Sequence, residues 1–267
     1  MLGRASLPTA YVEWNRRWGA PFGHPPVHGI GLRERFDKPR EEFGPFGFQL
    51  NSDTRAFEYP WAYFTADTSP GMRILEAGGG TSGLQFVLAQ EGCQVFNVDP
   101  GIDSDGGLAS SLGEWRVTEE LHQRLNRLFG TDVRLLRQRL QDADLEAASF
   151  DRVLCLSVLE HLDYEEARGM LRAAARLLAP GGLLLLTVDL FLDLAPFGSF
   201  PRNMYGTNVD LHRLVNDSDL RLAHGDPREL HGFPAFDRDR IVARLPEIFV
   251  SPRWPVMSQA LVLRRPG

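Results

Sequence analysis

The sequence predicts an α/β protein: an open, mostly parallel sheet with helices on both faces. Three observations carry that prediction. Short apolar runs alternate with amphipathic stretches across residues 71–190. One run leads directly into a glycine-rich turn. A second, Leu183–Val188, follows an Ala-Pro-Gly-Gly break that closes a long amphipathic stretch. Regular alternation of strand and helix signals is the pattern of a parallel sheet covered by helices.

Each element follows from its own spacing. Arg73–Ala77 is a short apolar strand, followed by GGGTSG and a helical pattern with Leu84, Val87 and Leu88 on one side. Gln94–Val98 is a second strand ending at Asp99-Pro100-Gly101. Glu114–Phe129 is helical, with Leu121, Leu125 and Leu128 on one face, and Val133–Leu136 is a third strand. Arg152–Leu156 is a fourth and almost wholly apolar, as expected for a strand buried on both faces. Tyr164–Leu178 is a helix, and Leu183–Val188 a fifth strand. Farther on, Ile241–Leu245 reads as a helix and Val256–Leu263 as a closing strand.

On either side the regularity weakens. Residues 1–71 read as an N-terminal arm or lid rich in Pro, Gly and aromatics, in which PFGHPP, FGPFGF and EYPWAYF mark loops. Helical spacing is confined there to Tyr11, Trp14 and Trp18. Residues 72–267 form the main domain, and within it 191–239 reads as an insertion that, with the arm, covers an acceptor pocket.

Composition removes several chemistries. The chain has 267 residues and a net charge of -6, which argues against a broad nucleic-acid footprint. No apolar stretch approaches the ~20 residues of a membrane span, and no secretory leader is expected at the N-terminus. Cys93 and Cys155 are the only cysteines, too few for a four-cysteine zinc site, and a reducing cytoplasm is the expected setting. Lys38 is the only lysine and sits in a polar segment, which argues against imine chemistry.

The most specific signal is Glu76, Gly78, Gly80 and Gly83, an E-x-G-x-G-x-x-G pattern between strand and helix. Glycines there allow a tight turn and close approach of backbone to a ligand. Asp99, at the end of the next strand, is placed to take both hydroxyls of a ribose. A dinucleotide site uses such a loop for a pyrophosphate. Glu76 would repel a phosphate but suits a cationic amino acid group.

On RILEAGGGTSG, NVDP and SFDRVLCLSVLEHLDYEEARGMLRAAARLLAPGGLLLLTV, the chain resembles the class I S-adenosylmethionine-dependent methyltransferases over about residues 72–190. The resemblance implies a Rossmann-like, seven-stranded sheet whose last strand is antiparallel. It implies S-adenosylmethionine as cofactor, with Glu76, Gly78 and Gly80 at its methionine part and Asp99 at its ribose. Asp142, or the neighbouring Leu140 and Gln141, would lie by the adenine. LQDADLEAASFD offers both Asp142 and Asp144 for that place, and either reads equally as a solvated loop acid.

SVLEHL puts Ser157, Glu160 and His161 at the carboxyl end of the fourth strand, where open parallel sheets bind ligands. Ser157 is a cofactor contact on this reading and His161 the base for methylation of an alcohol. Against that stand a helix-capping Glu160 and a satisfied histidine. Tyr59, with Arg55 and Trp61, either holds the cofactor or packs. Asp189, Asp193, Asn208, Asp210 and His212 lack metal-site spacing and read as turn and cap residues. The function expected is methyl transfer to a small-molecule acceptor at oxygen. A protein or nucleic-acid methyltransferase and a non-catalytic cofactor-binding member are the alternatives, with a nicotinamide dehydrogenase disfavoured by Glu76.

Overall fold

The computed structural model describes residues 1–101 and 117–266. The expected helix start at Glu114 lies outside these residues. The described strands are β1 (Arg73–Ala77), β2 (Gln94–Val98), β3 (Arg134–Leu136), β4 (Phe150–Leu156), β5 (Leu178–Phe191), β6 (Arg221–His224) and β7 (Val256–Arg264). They follow the order β3-β2-β1-β4-β5-β7-β6 in one seven-stranded sheet. β1 pairs parallel with β2, β2 with β3 and β4 with β5, whereas β7 runs antiparallel to both β5 and β6. The expected mostly parallel sheet with an antiparallel last strand is therefore present.

The chain divides into two compact units, residues 9–143 and residues 1–8 with 144–267. The first holds α1 (Thr9–Trp18), α2 (Leu32–Asp37), α3 (Arg55–Ala66), α4 (Gly83–Gln90) and α5 (Glu119–Phe129) with β1–β3. Local chemistry sets the helix ends. The Ser82 and Thr118 hydroxyls accept from Leu84 and Leu121 N–H to open α4 and α5. Gly130, in the left-handed region at φ 64°, closes α5.

The segment EYPWAYF corrects its expected loop assignment, for it lies within the 12-residue helix α3. Pro60 has no N–H for the carbonyl of Ala56, four residues earlier. The Asn15 side-chain amide donates to that carbonyl instead, at 2.8 Å. The acceptor orphaned by proline is thus satisfied from α1, and the helix continues.

The second unit holds α6 (Tyr164–Leu177), α7 (Leu211–Asn216) and α8 (Arg238–Ala243) with β4–β7. A capping box between Asp163 and Glu166 opens α6. β5 begins five residues earlier than its apolar run, because Leu178 pairs with Phe150 before the register shifts to Leu183 opposite Arg152. The Pro-Gly-Gly stretch bulges between those pairings. β7, flanked on both sides, is buried from Val256 to Leu263.

β6 is an unanticipated edge strand inside the 191–239 stretch, which from sequence reads wholly as an insertion. Residues 1–8 also act differently from the rest of the N-terminal stretch. Leu2 and Arg4 form antiparallel bridges to Gln259 and Ile248, and Leu2 packs with Leu190, Ile241, Ile248 and Met257.

Candidate functional site

In the first unit, β1 and β2 carry the glycine loop and its partner acid. Gly78 and Gly80 occupy the left-handed region at φ 72° and 57°, which explains glycine at both places. The Gly78 N–H donates to the Val98 carbonyl at 2.9 Å. Asp99 ties the loop to β2: its Oδ2 accepts from Gly80 N–H at 2.8 Å and its Oδ1 from Gly101 N–H at 2.7 Å. Burial raises the Asp99 pKa, and these two backbone donors and Arg137 oppose the shift.

Glu76 lies opposite Asn97 in the β1–β2 register, so both side chains share one face of the sheet. Its carboxyl is 3% exposed, and burial pushes its pKa up to about 8 against the opposing pull of Ser82 and Arg55. Glu76 Oε2 and Asn97 Oδ1 are both buried acceptors without a hydrogen-bond partner among the described residues. A Cβ on Gly79 would stand 2.8 Å from Asn97 Oδ1 and from the Glu76 carboxyl carbon. Only a bare backbone fits over this pair of acceptors.

Several residues that hold the loop were not among those picked out from sequence. Asn97 Nδ2 donates to the Gly80 carbonyl at 2.7 Å, and Gln85 Nε2 reaches the same oxygen at 3.4 Å. His122 Nε2 meets Gln85 Oε1 at 2.8 Å, which makes that ring nitrogen the donor. Burial holds the His122 pKa down at about 4. Gln49 Oε1 accepts from Thr81 N–H at 2.8 Å, and a Cβ on Gly83 would meet the Phe46 ring at 2.6 Å. A polar Asn within the apolar strand QVFNV was the readable signal for one of these. The rest are joined only by folding.

Tyr59 lies deep in α3, 1% exposed, with its hydroxyl donating to Asn51 Oδ1 at 2.7 Å and its ring 4.8 Å from that of Phe46. Arg55 forms a buried ion pair with Glu58. Asp142 ends a single 3-10 turn after β3 and is exposed.

In the second unit, Ser157 follows β4 in the left-handed region at φ 47°, uncommon for a residue with a side chain. Its N–H donates to the Thr187 carbonyl at 2.8 Å. Glu160 is buried, and its Oε1 accepts from Asp189 N–H at 3.2 Å. His161 is exposed, with Nδ1 hydrogen-bonded to the Tyr205 carbonyl. Asn208 bonds Phe191 and Ala195 backbone, and Asp210 caps α7. Among the described residues no group of three His, Cys, Asp or Glu could hold a metal ion, and no helix is long and apolar enough to cross a membrane.

An acidic loop with glycines in place of side chains and orphaned acceptors beside it fits S-adenosylmethionine, which has a cationic amino acid group and a ribose.

Comparison with known proteins agrees. Residues 50–231 match the methyltransferase-domain family, and the chain belongs to it. The family and fold are those of class I methyltransferases, which use S-adenosylmethionine as methyl donor.

Among curated relatives, the ubiquinone biosynthesis O-methyltransferase of Xanthomonas campestris pv. campestris (strain B100) is 34% identical over 119 residues, 44% of this chain and 43% of that one. The protein of the same name from Methylocella silvestris is 31% identical over 114 residues, 43% and 38% of the two chains. The chain thus spans less than half the length of these relatives.

Among solved structures, the (4+2)-cyclase SpnF has a TM-score of 0.56 at 14% identity, covering 100% of this chain and 99% of that one. The Burkholderia thailandensis 1,6-didemethyltoxoflavin-N1-methyltransferase, with bound 1,6-didemethyltoxoflavin and S-adenosylhomocysteine, has a TM-score of 0.50 at 14% identity, covering 100% and 95%. Likeness at such identity shows the fold alone.

Proposed function

We propose that the protein transfers a methyl group from S-adenosylmethionine to a hydroxyl oxygen of a small, largely apolar molecule, with His161 as general base. The observation that carries this reading is the His161 ring. With Nδ1–H donating to the Tyr205 carbonyl, the neutral imidazole has its lone pair on Nε2. Such a nitrogen can take the proton of an alcohol as the new bond to carbon forms. Phe200, Met204 and Tyr205 are 62%, 57% and 44% exposed on the same stretch of chain, which supports an apolar acceptor. The net charge of -6 supports a small molecule over nucleic acid. The names of the O-methyltransferase relatives support oxygen over nitrogen.

When bound, the cofactor supplies a sulfonium-activated methyl group. The chain's own groups do the rest. Glu76 and Asn97 offer acceptors to its ammonium. The Gly78–Gly80 backbone lies against its methionine part, Asp99 takes the ribose hydroxyls, and Asp142 lies by the adenine. Tyr59 supports the glycine-loop site through Asn51 rather than by contact, and Ser157 is the cofactor contact proposed from the second unit. His161 receives the proton from the acceptor.

Labelled S-adenosylmethionine incubated with simple phenols and catechols, and with matching amines, tests this. His161→Ala should lower turnover of the best phenol by roughly 10²–10⁴ while cofactor affinity stays near wild type. Transfer to amines alone, or undiminished turnover in the variant, would refute oxygen transfer through this base. Binding without any turnover would instead place the chain among members of the fold that do not methylate.

A further inference from the structure

We propose that Asn203 is a positioning residue for His161, acting through the peptide between Tyr205 and Gly206; the inference rests on the reading of His161 as the base. One planar peptide unit joins the two residues. Its carbonyl oxygen receives His161 Nδ1. Its N–H, that of Gly206, donates to Asn203 Oδ1 at 3.0 Å, and the same oxygen accepts the Tyr205 N–H at 2.8 Å. Asn203 therefore grips the peptide from one side while the imidazole meets it from the other. An acceptor bound at the N–H end also polarises the peptide and strengthens its carbonyl's bond to the ring.

Asn203 is itself held. Its Nδ2 donates to both carboxylate oxygens of Asp193, each at 3.2 Å, and its backbone N–H donates to the Gly206 carbonyl at 3.0 Å. The far end of the loop is anchored beside the base, where the Thr207 N–H donates to the Glu160 carbonyl at 3.0 Å. A Cβ on Gly206 would lie 2.2 Å from that same oxygen, so no other residue lets the chain close there. The relay from Asp193 through Asn203 and the peptide to Nδ1 selects the tautomer with its lone pair on Nε2. No group in it needs to titrate or to touch the acceptor.

Nitrogen-15 spectra of histidine-labelled protein read the tautomer directly, with the His161 signal identified by its loss in His161→Gln. In wild type the neutral ring should carry its proton on Nδ1. In Asn203→Ala it should shift to the other tautomer or to an average, and turnover of the best phenol should fall about tenfold, with cofactor affinity within twofold of wild type. The exchange Asp193→Asn with Asn203→Asp keeps the contact between the two side chains and an acceptor for both N–H groups, and should restore tautomer and rate. A wild-type proton on Nε2, or an Asn203→Ala protein with unchanged tautomer and rate, would overturn the inference. If Asn203→Ala fails to fold, a wild-type proton on Nε2 still overturns the inference, and the same comparison made with Asn203→Ser reads the contribution of its side-chain amide. Undiminished turnover in His161→Gln would count against the base itself while the tautomer still reported on Asn203.

Discussion

The Asp99 carboxylate ties the glycine loop to β2 and is the proposed partner of the ribose hydroxyls. Its oxygens already accept N–H bonds from Gly80 and Gly101, and each retains capacity for a second donor. Asp99→Ala should weaken S-adenosylmethionine binding by about 1.5–3 kcal/mol, the range for hydrogen bonds to a charged group. Titration calorimetry measures this, and unchanged affinity would remove the ribose assignment.

Glu76 gives a pH signature at the same scale. A carboxyl whose pKa is raised by folding favours the folded state while protonated. That contribution is full below the ordinary value of 4.5 and is lost as pH rises toward about 8. The thermal midpoint of the cofactor-free protein should therefore fall over this window more steeply in wild type than in Glu76→Gln. Saturating S-adenosylmethionine should narrow the difference, because an ammonium beside the carboxylate favours its charged form. Parallel curves for the two proteins would show that Glu76 titrates normally.

At the scale of elements, the start of α4 packs closely against residues 45–48. Gly83 opens α4, and a Cβ there would press on the Phe46 ring at 2.6 Å and on its backbone nitrogen at 2.8 Å. Gly83→Ala improves helix propensity by about 1 kcal/mol. Overpacking of this kind costs about 1–3 kcal/mol, and the neighbour includes backbone, which cannot rotate away. Net destabilisation in urea unfolding is the expected outcome, and a stabilised variant would show that residues 45–48 yield easily.

At the scale of the whole molecule, residues 9–71 contribute to the core of their own unit, and residues 1–8 belong to the other. Phe43, Phe46 and Phe48 are each no more than 2% exposed, Gln49 bonds the glycine loop, and Leu2 belongs to the other unit's core. Deleting the first fifty residues should abolish cofactor binding and the cooperative thermal transition together. Retained cofactor affinity with lost turnover would instead favour a lid over the acceptor.

The sequence by itself determined the parallel-sheet pattern, the glycine loop with Asp99, and the methyltransferase family. Those features are written in local terms: period, turn chemistry and residue spacing within about 25 positions. Helix α3 was hidden because Pro60 breaks the local rule, and its compensation comes from Asn15, 41 residues away from Ala56. β6 was hidden because a four-residue, mostly exposed edge strand has little apolar pattern to show. The tertiary structure alone joined Gln49 to Thr81, His122 to Gln85, and His161 to Tyr205. Hydrogen-bond partners are chosen by proximity after folding, and no spacing in the chain encodes a contact between residues 44 positions apart.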